Sequence, residues 1–228
     1  MTDEIRLTSR RERGKDARRS RIVEAAYALL REVGADDLSV KMIADRADLS
    51  PATVYNLFGA KGAVLAKVYA RDFEVFIAKV EGAGSPSALD AIFDSIRITM
   101  DHYRSDPPFY RGMSIRNPRA EPELVIAVQG PRQAFWRDLL ARAVCEGDLA
   151  PGVRTDMVSL AMLQMSGGVF GYWCADLISL DEMEQQTLYS FALLLMGLAR
   201  PAGRARLQAR VAAIQAAAAP LCPTATAG

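Results

Sequence analysis

Ser39–Phe58 reads SVKMIADRADLSPATVYNLF. It contains two short helical segments that meet at a corner. Ser39 is a capping residue for a helix over Val40–Ala47, its hydroxyl replacing a missing backbone partner. Ser50-Pro51 is a second start signal, a cap followed by proline at the first helical position. That second helix ends near Phe58, and Gly59 breaks it. Between the two lies Asp48, a residue type that tolerates the left-handed backbone a tight corner needs. Ala44, Ala47, Leu49 and Val54 are small or apolar where two helices must touch at a steep angle. The pattern is that of a helix-turn-helix with Pro51–Phe58 as the second, reading helix.

The exposed side of that helix would carry Ser50, Ala52, Thr53, Tyr55 and Asn56. Hydroxyls on Ser50, Thr53 and Tyr55 suit phosphate oxygens, and the helix N-terminus adds backbone N–H donors. Ala52 is small enough for close approach to a thymine methyl. Asn56 has the geometry to pair with adenine, a contact worth roughly 1–3 kcal/mol of discrimination. Lys41 and Lys61, each at a helix start, are placed to hold further phosphates. Alternatives stay open: Tyr55 as core against Phe58 and Phe73, Asn56 as a solvated residue, Thr53 as a structural hydroxyl.

Outward from this segment, Ile22, Ala25, Ala26, Leu29, Leu30 and Val33 recur at three-and-four spacing, predicting a helix over 17–33 that Gly34 ends. Residues 1–16 are polar and basic with no apolar period, which predicts a disordered arm. Residues 1–21 hold 8 Lys/Arg against 4 Asp/Glu, although the whole chain carries only +1. Positive charge is thus gathered beside the helix pair, either to track phosphate or as a solubilising tail.

Residues 17–73 resemble the DNA-binding domain of the TetR family of bacterial regulators. The resemblance rests on Ile22–Ala28, Gly34, Ser39-Val40, Ile43-Ala44, Ala47, Leu49-Ser50, Thr53-Val54-Tyr55, Leu57-Phe58-Gly59, Lys61 and Leu65. It implies an all-α fold: an N-terminal three-helix DNA-binding head and a larger helical body for ligand binding and dimerisation. It also implies a homodimer on palindromic double-stranded operator DNA, with Ser39, Thr53, Tyr55 and Lys61 on phosphates. Repression released by a small-molecule effector follows, the effector shifting the fourth helix. Activation by the same fold and a non-catalytic helical scaffold are the alternatives. Two departures stand out: Ala60 replaces a common serine cap, and Gly62 replaces a usual acidic residue.

A fourth helix is predicted over 61–80, and EGAGSPS (81–87) punctuates the chain. The expected organisation is therefore arm 1–16, head with connecting helix 17–80, body 81–200 and C-terminal extension 201–228. Further helices are expected over 88–103, 108–115, 122–145, 156–175 and 180–198. Gly130-Pro131 should kink or split the helix over 122–145. A last helix over 204–219 would pack on a partner, cover the pocket or fray. Most body aromatics and methionines should be core. Phe93, Met100, Tyr103, Phe109, Trp136, Met165 and Phe170 are the expected lining of a largely apolar effector pocket. Asp101, His102 and Arg104 are candidate polar anchors, with His102 at the surface or a helix end. Small residues at Ser159, Ala161, Ser166–Gly168, Gly171 and Ala175 permit close backbone approach, and Phe191, Leu194, Leu195 and Leu198 form an apolar stripe. The resemblance to the TetR family implies that these two helices form the dimer face, as a four-helix bundle.

No nucleotide-binding, nucleophile-elbow or metalloprotease motif occurs, and one histidine leaves little for a His-based triad, so no enzyme and no cofactor or metal is expected. Three scattered cysteines favour a reducing cytoplasm over a disulfide framework. The N-terminus lacks a signal-like apolar run, and the longest apolar stretches are too short to span a bilayer, so no membrane partner is expected.

Overall fold

The computed structural model describes residues 2–114 and 122–217, with side chains from residue 12 onward. Ten helices form among them: α1 Thr2–Asp37, α2 Val40–Arg46, α3 Pro51–Phe58, α4 Lys61–Gly82, α5 Ala88–Ser105, α6 Pro107–Gly112, α7 Pro122–Cys145, α8 Thr155–Cys174, α9 Leu180–Met196 and α10 Pro201–Ala217. No strand forms among the described residues; Leu149 and Ala199 make an isolated antiparallel bridge. The fold class is all-α, as expected.

The chain divides into two compact units, Met1–Ile77 with Ser105–Gly130, and Ala78–Arg104 with Pro131–Gly228. The expected boundary at 81–87 therefore misses a return of the chain to the head. The reason is local packing of α6 on α1 and α4. Phe109 stacks on Tyr27 at 4.2 Å, and Tyr110 donates to Asp72 at 2.8 Å. Asp106 caps α6 and also pairs with Arg31 at 3.1 Å. Gly112 comes so close to α1 that a Cβ there would overlap the Leu30 carbonyl oxygen. The head core is Ile22, Ala26 and Leu30 from α1, Ile43 and Ala44 from α2, Val54 from α3, Leu65 and Val68 from α4, and Phe109 from α6.

Helix α1 begins at Thr2, not after a disordered arm. Arg, Glu and Lys are good helix formers, and residues 2–16 hold one glycine and no proline to stop propagation from the packed part of α1. Gly34 sits at φ 78° and interrupts the helical dihedrals as expected, before a last turn to Asp37. Helix α7 runs through Pro131 without splitting. Gly130 has no Cβ to clash with the proline ring, which removes part of the usual penalty.

In the body unit the core is Leu89, Ile92, Phe93 and Met100 of α5, Leu140 of α7, Met162 of α8, Phe191 and Leu195 of α9 and Leu207 of α10. Ser179 and Glu182 form a reciprocal capping box at the start of α9. The 201–228 extension is ordered as α10 through Ala217; its remainder lies outside the described residues.

Candidate nucleic-acid interface

The corner between α2 and α3 is built as its sequence predicts. Ser39 Oγ accepts from the Met42 N–H at 3.2 Å. Asp48 adopts φ 51°. Leu49 N–H reaches the Ala44 carbonyl at 3.0 Å. Ser50 Oγ accepts from the Thr53 N–H at 3.2 Å and shares a hydrogen bond with the Thr53 hydroxyl at 2.9 Å. Ala44, Ala47 and Val54 are buried between the helices. Two capped starts and one left-handed residue thus set the helix crossing.

The outer face of α3 is open. Ala52, Tyr55 and Asn56 are all exposed, and spacings of three and four place them side by side. Tyr55 is 53% exposed, which removes the reading of Tyr55 as core. Phe73 instead stacks on Phe76 at 5.6 Å. Ser39, Lys41 and Ser50 are exposed on the same head unit, and Thr53 is half-buried. Lys61 differs: its ammonium donates to the Ala35 carbonyl at 3.0 Å, closing the end of α1. A phosphate would have to share that ammonium, which has three N–H donors.

Arg21 is the contributor that sequence reasoning missed. From α1 it donates to the backbone carbonyls of Ala47 and Asp48, the latter at 3.1 Å, and so braces the corner. Its place in a basic run was the available signal; its target, 26 residues away, was not. Arg46 binds Glu32 through both guanidinium arms at 2.9 and 2.7 Å, joining α2 to α1. The Arg46 hydrogen bonds hold the Glu32 carboxyl below its ordinary range, burial opposing weakly.

The expected effector lining lies mostly on α5, α7 and α8. In the body, Tyr103 stacks on Trp173 at 5.4 Å and lies 5.5 Å from Phe170. Trp136 meets Phe191 edge-on at 5.4 Å. Phe93 lies beneath the Arg210 guanidinium at 4.5 Å. Met100 is buried and Met165 half-buried. Phe109 is a correction: it is fully buried in the head against Tyr27 and Tyr110, because α6 packs there. Arg104 binds Asp101, Asp181 and Glu184 at 3.1, 2.8 and 2.8 Å, and His102 is buried in the last turn of α5, not at the surface.

On α8, Met157, Leu160, Gly167, Gly168, Gly171 and Tyr172 are exposed, as is Ala175 just past its end. A Cβ at any of those three glycines would meet nothing within 4 Å. Phe191 and Leu195 correct the expected dimer face, as does Ser159: all are fully buried in the body core. Leu193 is the exposed large apolar residue of α9 instead. Among the described residues no group of His, Cys, Asp and Glu is arranged to hold a metal, and no helix is long and apolar enough to cross a membrane.

Comparison with known proteins agrees with this architecture. Residues 22–68 match the family described as "Bacterial regulatory proteins, tetR family". An uncharacterized HTH-type transcriptional regulator of Mycobacterium tuberculosis is 41% identical over 59 residues, 26% of this chain and 28% of that protein. The HTH-type transcriptional repressor KstR of Mycolicibacterium smegmatis is 32% identical over 82 residues, 35% of this chain and 40% of that protein. The match therefore spans less than half the length of these curated relatives. Thermus thermophilus FadR, a TetR-family transcriptional repressor solved with lauroyl-CoA, superposes with a TM-score of 0.64 at 20% identity, over 80% of this chain and 96% of that one. The family match is thus confined to the helix-turn-helix head, and the all-helical fold resembles that of TetR-family regulators of known structure.

Proposed function

We propose that this chain is a ligand-responsive DNA-binding transcriptional regulator, a repressor that binds a palindromic operator as a homodimer. The observation that carries the reading is the capped, braced helix α3, presenting Ala52, Tyr55 and Asn56 outward. Asn56 and Ala52 read bases. Ser39, Lys41, Ser50, Thr53 and Tyr55 hold phosphates, and Lys61 does so by sharing its ammonium with Ala35. Phosphate contacts set register and base contacts set sequence. The relatives' descriptions as transcriptional regulator and repressor support the same class.

The open seam of α8 supports homodimerisation, since small residues let two backbones approach closely. Release follows from binding of a small, largely apolar effector in the body among Phe93, Met100, Tyr103, Trp136, Met165 and Phe170. That effector weakens DNA binding only as far as it prefers the non-binding state. A cytoplasmic location accords with this work.

The test is titration of labelled duplexes from the region flanking the protein's own gene. Saturable binding that weakens steeply with salt is the expected result. Salt-insensitive or absent binding by the purified dimer returns the scaffold reading. Deleting residues 2–16 should flatten the salt slope; an unchanged slope takes that end of α1 out of the interface.

A further inference from the structure

Helix α10 is pinned over its first turns and meets α9 again at Gln215, which donates to the Tyr189 hydroxyl at 3.2 Å. Gly203 lies against the Asp148 backbone, where a Cβ would overlap the carbonyl oxygen. The Arg200 N–H donates to that same carbonyl at 2.9 Å, beside the Leu149–Ala199 bridge. One turn on, Arg206 reaches both oxygens of Asp148 at 2.9 Å, Asp90 at 2.8 Å and Ser87 at 2.6 Å. Leu207 is fully buried beside it. At Arg210 the packing changes. Its guanidinium pairs with Asp90 and covers the Phe93 ring. The residues facing α5 and α9 there include Ala209 and Ala213, whose methyl groups are too short to fill the gap. A half-open cavity of about 290 Å³ results.

We propose that this cavity, walled by α5, α9 and α10, binds a small amphipathic anion. Phe93, Leu188 and Ile214 supply an apolar floor. The charged members of the lining are Arg97 and Arg210, both cationic, and no carboxylate lines the space. Carboxylates stand outside it and orient the arginines: Asp90 holds Arg210, and Asp94 holds Arg97 at 3.2 Å. Asp94 is itself held by Ser85 at 2.8 Å. Each guanidinium has five N–H donors in a fixed fork, so donors remain for a ligand acid. An engineered cavity of about 150 Å³ in another protein holds benzene, so this one takes a phenyl ring with a short acidic chain. The site shares only Phe93 with the effector lining proposed above and does not depend on the DNA-binding reading.

The experiment is calorimetric titration of the full chain with phenylbutyrate and with its neutral counterpart, phenylbutanol. Phenylbutyrate is expected to bind with a Kd of about 1 mM or tighter, given its size. It should bind about tenfold tighter than the alcohol, as a charge-assisted bond to guanidinium implies. Arg97→Gln should reduce that preference, Arg210 remaining, and leave alcohol binding in place. Ala213→Trp should abolish both, with an unchanged circular-dichroism spectrum; Ala209→Phe repeats the blockade from the neighbouring turn. The proposal is overturned by equal binding of acid and alcohol, by acid binding that survives both filling variants, or by no binding of either probe.

Discussion

Arg21 in the head and Arg206 in the body do similar jobs in different surroundings. Each reaches from one helix to hold a distant segment. Arg21 braces an exposed corner: its side chain is 50% exposed, and the Asp48 carboxylate beside it is fully so. Arg206 joins two carboxylates only 10% and 18% exposed. An ion pair in water gains little because solvent screens it. A partly buried carboxylate that loses its partner suffers a desolvation cost that nothing offsets. The head contact therefore serves geometry, and the body contact serves stability.

The comparison breaks first at Arg206. Arg206→Met should destabilise the chain by about 3 kcal/mol in denaturant melts, since it strips Asp148 of its guanidinium and leaves Asp90 with Arg210 and Ser87 alone. Gly203→Ala should cost about 2 kcal/mol by the same measurement, because the added methyl meets backbone that cannot swing aside. Asn56→Ala should leave the melt unchanged and weaken operator binding by about 1–2 kcal/mol, with little loss on random duplexes. Equal losses on both DNAs would remove Asn56 from base reading. Arg21→Gln should shift stability by no more than about 0.5 kcal/mol, as surface contacts do. Its effect should appear as weaker binding to specific DNA, the corner being less well held.

Acid separates the two regions further. Burial raises the Asp90 carboxyl, but hydrogen bonds from Ser87 and Arg210 and the charges of Arg206 and Arg210 outweigh it, so the group lies below its ordinary 3.8. A carboxyl lowered by folding adds stability that is fully present well above that value and is lost as pH falls through it toward the folded pKa. Melts of the unaltered chain should therefore lose stability as pH falls below about 5, and Arg206→Met should lose less over the same range.

The head was legible because its signals are short-ranged. Ser39, Asp48, Ser50-Pro51 and Gly59 each act within a few residues of themselves, and each does in the structure what its chemistry requires. The open face of α3 follows directly, since burying Ala44 and Val54 leaves Ala52, Tyr55 and Asn56 outside. The body was less legible. Apolar periodicity says which side of a helix is buried but not what it meets. Phe109 was expected among pocket residues and is head core. Phe191 and Leu195 were expected at a dimer face and lie inside the protomer.

By itself, the sequence determined the all-helical class, the placing of the helix-turn-helix and the residues that its reading helix turns outward. Caps, turns and helical period are written within one or two turns of chain. Only the tertiary structure decided that Ser105–Gly130 joins the head, that Arg21 braces the corner, and that α10 is locked by Arg206 with a cavity beyond it. Those outcomes join residues 26 to 119 positions apart. Spacing carries no information at that range, and the choice among compatible partners falls to packing and to the need to pair buried charge.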